Sequence, residues 1–277
     1  MKCAWESLLA VLPPWMRPEV DRVGREDLQE LRLRLNRPPE LVLNGGRVEL
    51  CGCIHQNDLD FCLNAASAYS PWAADSVAQG YLTAPGGHRI GICGDGVTLD
   101  GRLRTIGRPE SLCIRVARDF PGIAQKLQYL SGSVLLIGPP GSGKTTLLRD
   151  LIRMQSDTLR GSIGVVDERG ELFPMGYSSG FRTDILTGCS KNEGIERLLR
   201  VMSPEVIAMD EITSEEDCES LLKAGWCGVR LLATAHASSR SDLCNRAIYA
   251  PLVKSGIFDT LVILQRDKSF KAERIAI

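Results

Sequence analysis

The chain has 277 residues, of which 44% are hydrophobic and 24% are charged, and its formal net charge is −1. This length suffices for one large domain or two modest ones, each with a buried core. A net charge near zero gives no overall field that would attract nucleic acid, and we expect no nucleic-acid partner. No run of about 18 uncharged apolar residues occurs, so no membrane span is predicted.

The N-terminus contains one short apolar stretch, which Glu6 interrupts and Pro13 and Pro14 end. This does not match the pattern of a secretory signal. We therefore expect a soluble, cytosolic protein.

The sequence contains ten cysteines, and none of them forms a C-x-x-C pair. Because several lie in apolar runs, as Cys93 and Cys113 do, we interpret them as buried, reduced thiols. The alternative is a zinc site formed by Cys51, Cys53, His55 and Cys62. That spacing matches no standard zinc motif.

Residues 1–118 contain short strand-like runs between turns, which predict a smaller α+β domain with a curved antiparallel sheet. Segment 30–35 alternates Leu with Arg, and segments 40–44 and 47–50 flank Gly45-Gly46 as in a hairpin. Helices are predicted at 57–69 and from Pro71 onward. Further strands are predicted at 81–83, 88–94, 101–107 and 111–117.

Residues 119–277 alternate apolar strands with helices, after a connecting helix predicted at 119–132. Continuous apolar strands are typical of a parallel sheet that helices cover on both faces. The alternation predicts right-handed β-α-β crossovers. The predicted strands are 133–138, 162–167, 205–210, 229–235 and 259–265.

Residues 138–145 match the pattern G-x-x-x-x-G-K-[ST], between a predicted strand and a predicted helix. The glycines let backbone N–H groups turn toward phosphate oxygens, and the helix N-terminus adds its positive end. Lys144 can reach the β- and γ-phosphates, and the Thr145 hydroxyl can bind Mg²⁺. We predict a nucleoside triphosphate held by Gly138, Pro139, Pro140, Gly141, Ser142, Gly143, Lys144, Thr145 and Thr146.

A second acidic site is formed by Asp210 and Glu211, which end the strand at 205–210. The carboxyl ends of parallel strands are where such sheets bind ligands. We assign Asp210 to Mg²⁺, through water or through Thr145, and Glu211 to polarising the attacking water. An acidic pair on the surface is the alternative.

In the sequence, the strand at 162–167 lies between the P-loop and this acidic pair. Such an order is typical of the additional-strand branch of P-loop proteins, which includes rotary, RecA-like and secretion motors. The chain also lacks an N-K-x-D base-reading motif, which argues against a GTPase. We therefore predict an α/β, RecA-like additional-strand P-loop domain with a parallel sheet at 119–277.

Two further sites are predicted near the same sheet edge. Asp167, Glu168 and Glu171 follow the strand at 162–167, and we expect its carboxyl edge to lie beside the P-loop, where a carboxylate can contact the nucleotide's water or metal. Surface pairing with Arg169 is the alternative. His236 follows the strand at 229–235 and can sense the γ-phosphate, or it can be structural. Which glutamate is the base stays open.

Several arginines are candidates for a charge supplied to a neighbouring subunit in the transition state. Each also has a solvated or ion-paired role as its alternative. The candidates are Arg182, Arg197 and Arg200 in the second domain, and Arg89, Arg104 and Arg115 in the first.

Six blocks of the sequence are more specific than a P-loop: GYLTAPGGHRIGICG, GPPGSGKTTLLRDLIR, VVDERGEL, FRTDILTGCSKNEGI, RVMSPEVIAMDEI and ATAHA. Together they resemble the stage III sporulation protein AA family of ATPases from spore-forming bacteria, over most of the chain from about residue 30 to about residue 265. This family is similar to the ATPase motors of type II and type IV secretion systems. Their Walker A, acidic, Walker B and His boxes map onto 138–145, 167–171, 206–211 and 233–236.

The resemblance implies a Mg²⁺-dependent ATPase in which Glu171 and Glu211 organise catalysis and His236 fills the His box. The similar motors are hexameric rings whose N-terminal domain moves over the nucleotide. Their trans-acting arginines often come from the N-terminal side, which keeps Arg89, Arg104 and Arg115 as candidates. One departure is Thr213, where the family pattern has glycine; this alters the turn and leaves the carboxylates in place.

The resemblance also implies a setting in the mother cell, peripheral to the membrane that faces the forespore. There the protein would power a secretion-like channel together with a membrane protein of its operon. Two alternatives remain open at this point. One is a non-hydrolysing, nucleotide-gated scaffold at the membrane, and the other is a nucleic-acid-associated NTPase.

Overall fold

The computed structural model describes residues 2–67, 80–158, 160–174 and 176–275. The chain divides into two compact units: unit 1 is Met1–Asp119 with Pro174–Tyr177, and unit 2 is Phe120–Phe173 with Ser178–Ile277. That each unit folds by itself, with a boundary after residue 118, stays a prediction. The helix predicted from Pro71 lies outside the described residues.

Unit 1 is built on a six-stranded sheet with the order β3-β2-β1-β6-β5-β4, and all of its pairs are antiparallel. Its described helices are α1 (Trp5–Val11), α2 (Arg17–Val23) and α3 (Gln56–Ser67). Its strands are β1 (Leu28–Arg34), β2 (Glu40–Leu43), β3 (Gly46–Glu49), β4 (Tyr81–Thr83), β5 (Arg89–Leu99) and β6 (Arg102–Arg115).

Alternation along β1 explains the core of unit 1. Leu31 and Leu33 are buried in the same core as Leu59 and Cys62 of α3, whereas Arg32 lies on the other, more open face. The predicted hairpin at 40–50 is confirmed by β2 and β3. The helix predicted at 57–69 is confirmed by α3 up to residue 67, and its last two positions lie outside the described residues. The two strands predicted at 101–107 and 111–117 form one long strand, β6.

Unit 2 is built on a seven-stranded sheet with the order β13-β12-β7-β11-β10-β8-β9, in which only β13 runs antiparallel to its neighbour. Its strands are β7 (Val134–Ile137), β8 (Ile163–Asp167), β9 (Thr183–Thr187), β10 (Val206–Met209), β11 (Arg230–Ala235), β12 (Thr260–Leu264) and β13 (Phe270–Arg274). Its described helices are α4 (Lys144–Thr158), α5 (Lys191–Val201), α6 (Glu215–Trp226), α7 (Arg240–Asn245) and α8 (Ala250–Ser255).

Every residue of β7, β8 and β10 is buried, as the continuous apolar runs of a doubly covered parallel sheet require. The predicted α/β class and the parallel sheet are confirmed. Strand β11 lies between β7 and β10, so the carboxyl ends of these three strands meet at one edge and place their loops together.

The helix predicted at 119–132 is wrong, because the structure has only a short 3-10 helix there, Ile123–Leu127. Gly122 precedes it with a φ of 91°, which stops a regular helix from starting earlier. The Asp150 carboxylate accepts the N–H of Ala124 at 2.8 Å and fixes this turn instead. None of the helices in the described ranges is long and apolar enough to cross a membrane.

Candidate functional site

The loop that joins β7 to α4 has the backbone geometry that its glycines imply. Gly141 and Gly143 have φ values of 75° and 95°, a region that other residues rarely adopt. A Cβ atom on Gly138 would lie 2.6 Å from Ser142 Oγ and 2.9 Å from the carbonyl oxygen of Leu264. Gly141 and Gly143 are therefore explained by their backbone conformation, and Gly138 is explained by the lack of room for a side chain.

Lys144, the first residue of α4, is buried and folds back over this loop. Its Nζ donates to the carbonyl oxygens of Gly138 at 2.9 Å and Pro139 at 3.2 Å, and lies 3.1 Å from His236 Nδ1. Burial lowers the pKa of Lys144, and the nearby Asp210 carboxylate partly offsets this effect. The ammonium group must exchange some of these partners before it can contact a phosphate.

The loop borders a cavity of about 560 Å³, which lies within the usual size range of small-molecule sites. Ser142 Oγ is buried here and has no hydrogen-bond partner among the described residues. Such a group is unfavourable unless a ligand or water pairs with it. The unpaired hydroxyl, the glycine loop and Lys144 together fit the phosphates of a nucleoside triphosphate.

Asp210 lies at the end of β10 and uses both carboxylate oxygens on hydroxyl groups. Thr145 Oγ1 donates to Oδ2 at 2.6 Å, and Thr234 Oγ1 donates to Oδ1 at 2.6 Å. The hydroxyl of Thr145 and the carboxylate of Asp210 thus lie together beside the first turn of α4. Mg²⁺ binds few protein oxygens and keeps several waters, so this pair fits Mg²⁺ with a phosphate ligand.

Glu211 directly follows Asp210 and contacts His236. Its Oε1 lies 2.9 Å from His236 Nε2, and its backbone N–H donates to Thr234 Oγ1 at 2.8 Å. The structure therefore links Glu211, His236 and Lys144 in one row of polar contacts. Lys144, Asp210, Glu211 and His236 all line the 560 Å³ cavity.

The acidic segment after β8 lies elsewhere than predicted. In the sheet, β10 and β11 lie between β8 and β7, so the expectation that the edge of β8 lies beside the P-loop is wrong. The segment instead adjoins the acidic pair after β10. Glu168 and Glu171 line a second, small cavity of about 60 Å³ together with Lys191, Asp210 and Glu211. That volume holds about two water molecules.

Asp167 holds the shape of this acidic segment. Its carboxylate accepts the N–H groups of Glu171, Leu172 and Phe173 at 2.8, 2.9 and 3.0 Å. Arg149 of α4 donates to the carbonyl of Glu171 at 2.9 Å and also to that of Leu172. The segment is therefore tied to the helix that begins at the P-loop.

Two features of the site were missed by the sequence reasoning. The large cavity is also lined by Phe120, Ile123, Leu264, Lys268 and Phe270, mostly from segments without a motif. Lys191, which lines the small cavity, could have been noticed. It is a cation at the first position of a helix, where the helix dipole disfavours positive charge.

The candidate arginines do not line either cavity. Arg115 lies 3.5 Å from Glu30, and the guanidinium groups of Arg89 and Arg182 lie over the rings of Tyr81 and Phe181. The other three are exposed: Arg104, Arg197 and Arg200. Their proposed action on a neighbouring subunit stays a prediction.

The interpretation of the cysteines as buried thiols is wrong for the five that are exposed: Cys51, Cys53, Cys93, Cys227 and Cys244. Cys93 is exposed because Ile90 and Ile92 take the core-facing positions of β5. Cys62 and Cys218 are buried, and burial raises the pKa of each to about 12. Among the described residues, no group of three His, Cys, Asp or Glu side chains is placed to hold a metal ion, so Cys51, Cys53, His55 and Cys62 form no zinc site.

Sequence comparison finds relatives over nearly the whole chain. A family model described as "Sporulation stage III, protein AA" matches residues 15–274. Stage III sporulation protein AA of Bacillus subtilis (strain 168) is 37% identical over 281 aligned residues, which cover 95% of this chain and 91% of that protein.

Structure comparison finds solved structures of similar fold, among them a motor and an ATPase. The crystal structure of the pilus retraction motor PilT with bound ADP matches with a TM-score of 0.63 and 14% identity, over 88% of this chain and 76% of that one. The X-ray structure of the Legionella pneumophila ATPase DotB matches with a TM-score of 0.61 and 15% identity, over 95% and 80%. At such low identity the likeness concerns the fold, and it confirms the predicted RecA-like class.

Proposed function

The chain belongs to the sporulation stage III protein AA family, and on that basis we propose that it is a Mg²⁺-dependent ATPase of the secretion-motor type. One observation carries the proposal. A single cavity is lined by a phosphate-type loop, a lysine, two adjacent carboxylates and a histidine, each at the carboxyl edge of a parallel sheet. The PilT structure, which has the same fold, contains ADP.

In this proposal, residues 138–146 hold the triphosphate, and Thr145 and Asp210 hold Mg²⁺. The bound metal neutralises charge on the phosphate oxygens. Lys144 leaves the carbonyls of Gly138 and Pro139 for the β- and γ-phosphates, and the Ser142 hydroxyl gains the partner that it lacks. The apolar end of the cavity, at Phe120 and Phe270, receives the base.

Glu211 is the residue that we assign to the attacking water, because it lines both cavities, whereas Asp210, which also lines both, has its two carboxylate oxygens on Thr145 and Thr234. It takes a proton as the water oxygen bonds to the γ-phosphorus and the bond to the ADP oxygen breaks. His236, 2.9 Å from Glu211 and 3.1 Å from Lys144, reports loss of the γ-phosphate. Glu168 and Glu171 orient water in the small cavity.

Family membership and fold also support a proposal about assembly. We assign the protein to a hexameric ring that is peripheral to the membrane facing the forespore, in the mother cell, where a membrane protein of the sporulation channel anchors it. An arginine from a neighbouring subunit completes each site, with Arg89, Arg104 and Arg115 as the first candidates. No nucleic acid takes part.

The test is ATP turnover and nucleotide affinity in wild type, Lys144→Ala and Glu211→Gln, with and without Mg²⁺. We expect Lys144→Ala to lose both binding and turnover, and Glu211→Gln to keep binding while turnover falls at least about 100-fold. Lys223→Ala is the control, since Lys223 is an exposed residue of α6. Undiminished hydrolysis in both variants would contradict the proposal.

Mass in solution with and without a slowly hydrolysed ATP analogue tests the ring, and a ring that forms only with nucleotide would favour the motor. Binding without turnover, even with the membrane partner present, would favour the nucleotide-gated scaffold. A salt-dependent shift of labelled single-stranded nucleic acid by micromolar protein would favour the nucleic-acid-associated NTPase.

A further inference from the structure

Glu211 has a backbone conformation that needs external support. Its φ of 55° lies in the left-handed region, which is unfavourable for a residue with a side chain. Such conformations persist where the surrounding structure holds them, and they cluster at functional sites. The contacts on the two sides of this residue show what holds it.

The N–H and C=O groups of Glu211 are each fixed by a side chain from another element. Thr234 Oγ1, from β11, accepts the N–H at 2.8 Å. Lys191 Nζ, from the start of α5, donates to the C=O at 2.6 Å. Because both ends of the residue are fixed, the direction of its Cα–Cβ bond is fixed too, and the carboxylate at the end of the side chain lies 2.9 Å from His236 Nε2.

The environment of Lys191 is built around its ammonium group. The residue is only 8% exposed. Besides the Glu211 carbonyl, Nζ donates to Thr213 Oγ1 at 3.1 Å and to Asp217 Oδ2 at 3.2 Å. Glu168 adds a carboxylate oxygen at 3.8 Å. These partners come from the segment after β10, the first turn of α6 and the acidic segment after β8.

The position of Lys191 in its helix argues against a purely helical role. It directly follows Ser190, the N-cap of α5, where a positive charge opposes the helix dipole. Acidic residues at that position would stabilise the helix better. A cation there is explained by what it contacts outside α5.

We infer that Lys191 is a positioning residue, which holds the backbone of Glu211 so that its carboxylate points at His236 and the large cavity. The inference rests on the proposed function and adds a residue to it. Lys191 contacts no reacting atom; it acts through Glu211. In its absence, the Glu211 carbonyl loses its donor and the left-handed conformation relaxes.

The test compares Lys191→Met, Lys191→Arg and the control Lys223→Met, an exposed lysine of α6. Three measurements are made on the full chain: kcat, affinity for a fluorescent ATP analogue, and the imidazole ¹⁵N signals of His236. The chain has three histidines, so single His→Gln variants assign these signals. Thermal unfolding shows whether each variant is folded.

For Lys191→Met we expect kcat to fall about 100-fold, with analogue affinity within about twofold of wild type, because misplacing a reacting group affects turnover more than binding. The His236 signals should move in the same direction as in Glu211→Gln. Unchanged kcat or unmoved His236 signals in the folded variant would overturn the inference.

Lys191→Arg keeps a positive charge beside Asp217. It therefore serves as the test variant if Lys191→Met does not fold. Its planar guanidinium differs in shape from an ammonium group, and we expect a kcat about tenfold below wild type. Wild-type kcat in Lys191→Arg would show that a guanidinium also holds the Glu211 carbonyl and would support the inference, whereas a lowered kcat with unmoved His236 signals would overturn it. If the wild-type chain does not hydrolyse ATP, the proposed function fails, and the His236 signals alone decide the role of Lys191.

Discussion

In unit 1, strand β1 places Leu31 and Leu33 in the core and Arg32 and Arg34 on an open face, whereas in unit 2 the strands β7, β8 and β10 are buried on both faces. The two units therefore place their charged groups differently. The arginines of β1 pair with nearby glutamates, Glu30 and Glu40. In unit 2, charged groups are buried beside the carboxyl ends of the strands.

The buried polar residues of the two units show the same difference. Among the described residues of unit 1, only His88 and Asp119 are in this class. Unit 2 buries both neutral and charged side chains, and the charged ones are Lys144, Arg149, Asp150, Asp167, Lys191 and Asp217. Buried charge is costly unless it is paired and hydrogen-bonded. The free energy needed to bury the charged groups of the candidate site therefore falls on unit 2.

The largest expected effect is on Asp167 of unit 2. Asp167→Ala leaves three backbone N–H groups without their acceptor, and we expect a loss of about 3–5 kcal/mol in the free energy of unfolding. Urea titration measures it. The matched control is Asp95→Ala, an exposed carboxylate of unit 1, with an expected change within about 0.5 kcal/mol. A change below about 1 kcal/mol in Asp167→Ala would contradict the comparison.

Each unit contains one fully buried thiol that can report its opening, Cys62 in unit 1 and Cys218 in unit 2. Burial raises the pKa of both to about 12, so neither reacts until its unit opens. At a nucleotide concentration of about 100 times Kd, the stabilisation of unit 2 is about 2.7 kcal/mol. We expect labelling of Cys218 to slow about 100-fold while that of Cys62 stays unchanged, as mass spectrometry of labelled peptides measures.

Equal protection of both thiols would show that the two units open together. The prediction of two independently folding domains, with a boundary after residue 118, would then be wrong. Exposed thiols, such as Cys93 and Cys244, serve as internal controls because they react with or without nucleotide.

The type of each sheet could be predicted from the sequence, whereas the order of its strands could not. Runs such as 134–137 are apolar throughout, and segment 30–35 alternates, so the local pattern alone assigned a parallel sheet and an antiparallel one. The order of strands was not accessible in the same way. The acidic segment at 167–171 was expected beside the P-loop, yet β10 and β11 lie between them.

The candidate site shows the same limit. The glycines of 138–143 and the Asp210-Glu211 pair form local motifs, and the sequence predicted that they meet at one sheet edge. Lys191 reaches Glu211 from 20 residues away, by a contact that depends on how α5 packs. No spacing rule describes that contact. Motifs set by backbone conformation were therefore predictable, and contacts set by packing were not.

His88 is the buried histidine of unit 1. Its Nδ1 accepts the N–H of Ala117 at 3.2 Å and its Nε2 lies 2.9 Å from the carbonyl of Ala4, an arrangement that suits the neutral ring. Burial lowers the pKa of His88, and Arg118 lowers it further. The unfolded chain therefore binds the proton more readily than the folded chain does.

It follows that unit 1 is most stable above the unfolded pKa of about 6.5 and loses stability as the pH falls below it. The slope is at most about 1.4 kcal/mol per pH unit for one proton, and the loss ends once the pH falls below the folded pKa of His88. Urea titrations between pH 7 and pH 5, with Cys62 labelling as the readout, measure it. In His88→Gln this part of the pH dependence should disappear. A wild-type slope unchanged in that variant would show that other groups cause it.

The smallest expected effect concerns the open face of unit 1. Glu40 accepts from Arg34 at 2.8 Å and from Arg47 at 2.7 Å, and these arginines are 42% and 65% exposed. The hydrogen bond from Arg34 helps to lower the pKa of Glu40 despite the opposing effect of burial. The stability that the ionised Glu40 carboxylate contributes is therefore present at neutral pH. It is lost as the pH falls through the pKa of Glu40 in the folded protein.

Because water screens such pairs, Glu40→Gln should cost less than about 1 kcal/mol at pH 7 by urea titration. The matched pair in unit 2 is Glu205 with Arg230, 2.6 Å apart and partly exposed. Glu205→Gln should cost a similarly small amount. Small losses in both variants, beside a large one in Asp167→Ala, would show that burial, and not membership of one unit, sets the cost. A loss above about 2 kcal/mol in Glu40→Gln would contradict this conclusion. It would mean that the exposed ion pairs of unit 1 contribute to its stability as strongly as the buried carboxylate of Asp167 contributes to that of unit 2.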